Sequence, residues 1–70
     1  MMRAGDKVVF LRSDGLKTLG GRRAARVVFK GEVAYIEKMA TDRPGHCLVQ
    51  LGNGDLALAS FEILALAPAG

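Results

Sequence analysis

The sequence predicts an all-β fold, a small five-stranded barrel, and three observations carry that prediction. Short runs dense in β-branched and aromatic residues recur at 7–12, 26–29 and 32–39, separated by Gly, Asp and Ser. Asn53-Gly54, a strong hairpin dipeptide, sits between two apolar segments. Gly31 interrupts a strand pattern without ending it, and such glycines let small barrels turn their corners. Seventy residues, half of them hydrophobic, make one domain near the lower limit for a self-sufficient core.

Taken in order, residues 1–4 form a short tail, and Gly5-Asp6 opens a first strand over 7–12. Ser13-Asp14-Gly15 breaks it. Residues 13–26 read as a long basic loop, because Gly20-Gly21 disrupts a helix and the charged residues show no strand alternation. Strand character resumes at 26–29 and, past Gly31, over 32–39. Pro44 and Gly45 mark a turn over 41–45, since Pro fixes φ and Gly accepts positive φ. A two-residue type I′ turn at Asn53-Gly54 then pairs Leu51 with Leu56, Val49 with Leu58 and Cys47 with Ser60 on a core face. The other face receives Gln50 with Ala57 and Leu48 with Ala59. A short helical turn near 60–62 leads to a last strand over 63–66. The Ala- and Leu-rich composition, Ser60 as a cap and Pro68 as a stop make a helix over 60–66 the competing reading. The barrel spans about 5–66, and residues 67–70 fray.

The net charge of +3 is unevenly spread. Arg12, Lys17, Arg22, Arg23, Arg26 and Lys30 fall in one stretch opposed only by Asp14. This cluster is the candidate polyanion contact, and the plain alternative is a solvated loop that keeps a small apolar chain soluble. Both alternating faces of the first strand are apolar, Val8 with Phe10 and Val9 with Leu11, and Leu48 repeats the pattern on the hairpin. Val9, Leu11 and Leu48 are therefore the candidate oligomer or partner surface, and a homo-oligomer, most simply a two-fold dimer, is expected.

Chemistry is sparse. His46 and Cys47 are neighbours in a strand, so they point to opposite faces and do not pair locally. Cys47 falls on the core face, where a thiol is inert packing. No Cys and His spacing suits zinc, and Gly15-Leu16-Lys17-Thr18 lacks the glycine that a phosphate loop places directly before its lysine. No catalytic residue, cofactor or metal is assigned. The lone cysteine excludes an internal disulfide and, with no secretory signal in evidence, predicts a reducing cytoplasm. No apolar stretch is long enough to span a bilayer as a helix.

Gly5-Asp6-x-Val8, Gly31-x-Val33-x-x-Ile36, Cys47-x-Val49-x-Leu51, Leu56-x-Leu58 and Ile63-Leu64 together resemble the pattern of SH3-like small barrels. That superfamily includes KOW-type domains, the nitrile hydratase β-subunit barrel, a peripheral photosystem I subunit and plasmid-type dihydrofolate reductase. The resemblance implies a fold and leaves the task open. The reductase family lines its pore with a Val-Gln-Ile-Tyr stretch, which here reads Leu56-Ala57-Leu58-Ala59 without the Gln or the Tyr. Its first-strand lysine falls at Phe10. KOW modules contact RNA or protein through a glycine loop with basic neighbours, which Gly31 and the basic residues at 22–30 resemble. The expectation is a non-enzymatic binding or adaptor module that meets a protein or a nucleic acid through its basic loop and first strand. An oligomeric reductase-like enzyme is the alternative.

Overall fold

The computed structural model describes residues 2–20 and 24–68. Strands are β1 (Lys7–Phe10), β2 (Asp14–Leu19), β3 (Ala25–Val28), β4 (Val33–Met39), β5 (His46–Leu51), β6 (Leu56–Ser60) and β7 (Leu64–Leu66), with a 3₁₀ turn at Phe61–Ile63 before the last. All pair antiparallel in one open sheet of order β3-β2-β6-β5-β4-β1-β7. The fold is all-β as expected, but it is not the closed five-stranded barrel read from the sequence. Every strand contributes side chains to one buried cluster, including Val8, Phe10, Leu16, Val28, Ile36, Val49, Ala57 and Leu64. A single sheet can bury one face this completely only by curling round it.

Two of the additional strand boundaries come from the basic segment. Within 13–26, residues 14–19 and 25–26 are strand rather than loop: β2 alternates, with Leu16 and Thr18 buried and Lys17 and Leu19 exposed. The alternation was hidden because its second inward residue is a threonine. Gly31 does not bend one continuous strand. It sits at φ 89° in a turn closed by Glu32 N–H donating to the Phe29 carbonyl at 2.9 Å, a position that favours glycine. The turn separates β3, which pairs with β2, from β4, which pairs with β1 and β5. Further along β4 the register slips between Ile36 and Lys38, leaving Glu37 as the extra residue of a bulge.

The hairpin of β5 and β6 forms where expected but in a different register. Leu51 accepts from Gly54 N–H at 2.9 Å and donates to the Asp55 carbonyl at 2.8 Å, so three residues, 52–54, form the loop. Only Gly54 has positive φ, 91°, and no non-glycine residue does among those described. This is a type I turn closed by a glycine bulge, not a type I′ turn on Asn53-Gly54. Asn53 contributes through its side chain instead, accepting from Asp55 N–H and donating to the Asp55 carboxylate. The pairs become Val49 with Ala57, Leu48 with Leu58 and Cys47 with Ala59. A one-residue slip exchanges faces: Ala57 and Ala59 are fully buried, whereas Leu56 and Leu58 are half-buried on the outer side. Ser60 caps as anticipated, its Oγ accepting from Glu62 N–H at 3.2 Å. The helix stops after one turn because Ile63 and Leu64 are both core residues and β7 must pair with β1.

Candidate functional site

The curled sheet has an outer face, and the observed register assembles on it a row that no single segment of sequence contains. Lys17 of β2 pairs with Leu58 of β6, Leu58 with Leu48 of β5, and Leu48 with Lys38 of β4. Directly beneath, the inner row is Thr18, Ala57, Val49 and Ile36, all buried. The bulge at Glu37 keeps Lys38 on the outer face while Ile36 stays inward. A groove of about 220 Å³ runs along the outer row, floored by Leu48 and Leu58 and flanked by Lys17, Lys38 and Arg43. Met39 and the loop that follows β4 wall one end, with Asp42 the single acidic side chain of the lining. Leu48 is only 9% exposed despite facing outward, so its apolar surface is the floor of a depression rather than a patch. Neither Lys17, Lys38 nor Arg43 takes part in an ion pair among the described residues.

Of the six basic residues singled out from the sequence, the four described ones, Arg12, Lys17, Arg26 and Lys30, do not share one face. Lys17 lies in the groove. Arg26 pairs with buried Leu16 across the ribbon and so points away from Lys17. Its guanidinium donates to the Glu32 carboxylate at 2.9 Å, both side chains being largely covered. Arg12 is exposed just beyond β1. Lys30 is exposed in the turn before β4, its backbone N–H donating to Ser13 Oγ at 3.4 Å. Arg22 and Arg23 lie outside the described residues.

The three apolar candidates separate as well. Val9 is half-buried on β1 between Val33 and Ala65, Leu11 is 48% exposed beyond the strand, and Leu48 is buried in the groove floor rather than offered as an open surface. Along β4, the partners of Val9 and Leu48 are Val33 and Lys38, roughly 16 Å apart at the strand rise. Lys38, Arg43 and Leu58 are the site residues the sequence did not single out. Lys38 and Leu58 become visible only through pairing across three strand boundaries, and Arg43 stands in what reads as an ordinary turn.

Cys47 is fully buried, and that burial pushes its thiol from 9.0 up to about 11, which removes the thiolate at neutral pH. His46 Nδ1 lies 3.0 Å from the Pro44 carbonyl, which can only accept, so that nitrogen carries the proton of the bond. Cys47 faces the core and His46 pairs with Ser60 at the strand end. Among the described residues no three His, Cys, Asp or Glu side chains come together in a way that could hold a metal ion, and no helix is long and apolar enough to cross a membrane. A second, shallower hollow of about 400 Å³ lies beside the Asn53-Gly54 turn, lined by Val33, Tyr35 and Gln50 with no charged side chain. No protein-family model matches this chain, and comparison with curated proteins and with solved structures found nothing similar to it.

Proposed function

We propose that this chain is a small non-enzymatic binding module, related in plan to SH3-like barrels, that engages a protein partner through the outer face of β2, β6, β5 and β4. The observation that supports this reading most is the juxtaposition of an apolar floor, Leu48 and Leu58, with unopposed cations at both ends of the same cross-strand row, Lys17 and Lys38. Apolar surface surrounded by polar groups is the usual anatomy of a protein contact. A single-stranded nucleic acid would be better served by aromatic platforms, and the groove lining contains none. The order of elements is taken as support for the small-barrel reading. A long hairpin follows the first strand, a three-strand meander and a 3₁₀ turn come next, and the last strand pairs back on the first. The basic hairpin β2–β3 takes part through Lys17.

The test is capture with tagged chain from an extract of its source. Wild type should retain a protein that Leu58→Glu loses, while Val27→Ser, on the exposed edge strand β3, retains it. Equal capture by wild type and Leu58→Glu, or an eluate containing only nuclease-sensitive material, would refute the reading.

A further inference from the structure

Resting on that binding-module reading, the geometry of the groove specifies the chemistry of its occupant more narrowly than "protein". At about 220 Å³ it is smaller than the ~300–1,000 Å³ pockets that enclose whole drug-sized ligands. It therefore accommodates one side chain and leaves the rest of the ligand outside. The floor is aliphatic, so the inserted side chain is apolar. Lys17 and Lys38 bracket that floor in the same row, with β6 and β5 between them. Three inter-strand steps at the usual ~4.8 Å put their backbones about 14 Å apart.

An extended peptide presents residues i, i+2 and i+4 on one side, spanning about 13 Å from first to last at a rise of ~3.3 Å per residue. The two spacings agree. The lining carries three cations, Lys17, Lys38 and Arg43, against one carboxylate, Asp42, so it has a net positive charge to be matched, and the two lysines hold the ends of the row. We propose that the groove receives an extended acidic segment of a partner protein, crossing the strands, in which carboxylates at i and i+4 meet Lys17 and Lys38 and an aliphatic side chain at i+2 enters between Leu48 and Leu58. Such a segment adds no strand to the sheet. Its recognition comes from side-chain spacing and charge, and it is sensitive to salt.

The experiment titrates ¹⁵N-labelled full chain at low ionic strength with four probes. One is a nonapeptide bearing Glu, Leu and Glu at its third, fifth and seventh positions in a Ser/Gly/Thr background. The others are its Gln-Leu-Gln counterpart, a version with the second Glu moved one position nearer to Leu, and a decamer of deoxythymidylate. The expected result is perturbation of the amides of Lys17, Lys38, Arg43, Leu48 and Leu58 by the first peptide. It should bind at least tenfold more tightly than either altered peptide. Lys38→Gln should abolish that preference, Lys38→Arg should keep it, and Lys38→Glu should be rescued by a peptide carrying Lys in place of one Glu.

Equal binding of the Glu and Gln peptides, perturbation confined to Val33 and Tyr35, or response of the groove to the oligonucleotide alone would each overturn the proposal. If the peptides leave the groove untouched while Leu58→Glu still abolishes capture of a protein, the acidic-segment inference falls and the binding face stands. Loss of both results removes both.

Discussion

Exchanging the environments of Ala57 and Leu58 tests the observed hairpin register. Ala57 is fully buried in the inner row, with Thr18 and Val49 as its cross-strand neighbours, both of them buried too. Ala57→Leu forces three additional carbons into that space, and overpacking of this kind costs typically about 1–3 kcal/mol. Leu58 faces outward and is half-buried, so Leu58→Ala forfeits only part of the ~1.5–3 kcal/mol that full burial of a leucine contributes, about 1 kcal/mol. In the alternative register, with Leu58 opposite Val49 in the core, the order reverses: Leu58→Ala would cost about 2–5 kcal/mol and Ala57→Leu almost nothing. A chain of 70 residues has only about 4–10 kcal/mol of stability in total. Each kcal/mol moves Tm by roughly 4–8 °C in a domain of this size. Thermal unfolding followed by circular dichroism should therefore show Ala57→Leu lowering Tm by about 10 °C and Leu58→Ala by about half that. A larger drop for Leu58→Ala than for Ala57→Leu would refute the register, and with it the row on which the groove is built.

Other outcomes follow from single contacts. Gly54→Ala should destabilise by about 1–2 kcal/mol in urea unfolding, because φ is 91° there and an L side chain is strained in that region. Opening the Arg26–Glu32 pair should be unequal. Arg26→Ala removes one partly covered ion pair and should cost about 1 kcal/mol or less. Glu32→Ala should cost more, because that carboxylate also accepts from Phe29 N–H and organises the turn. Cys47 should resist a thiol reagent at pH 8 until the chain unfolds. Because its folded pKa is raised from 9.0 to about 11, the native state holds its proton more tightly than the unfolded chain. Its contribution to stability is complete below pH 9 and declines as pH rises toward 11. Urea midpoints of Cys47→Ala and wild type across that range check the sign, since the wild-type decline should be the steeper.

Strand content, the inward Cys47 and the position of both later turns were legible in local sequence, because β-branched runs and Gly-containing turns report local backbone preference. The register was not. Gly52-Asn53-Gly54 suits a two-residue loop on Asn53-Gly54 and a three-residue loop on all three, and packing decides between them. Phe10, Ile36 and Ile63 already occupy the interior as large, fully buried side chains, and alanines at 57 and 59 fit beside them where leucines would crowd. Strand β2 was obscured by its composition, since Lys17 and Leu19 face out while Thr18 supplies an inward position usually filled by an aliphatic residue. The groove inherits both difficulties. Lys17 was singled out for its charge alone, and Lys38 and Leu58 join it only once β2, β6, β5 and β4 are placed side by side.

The most direct measurement is the footprint of a captured partner on the ¹⁵N-labelled chain, read by cross-saturation. A partner seated in the groove should cause intensity loss at the amides of Lys17, Lys38, Arg43, Leu48 and Leu58 and leave β3 and β7 at the sheet edges unaffected. A footprint centred on Val27 and Phe29, the most exposed of the large apolar side chains among the described residues, with the groove untouched, would contradict it.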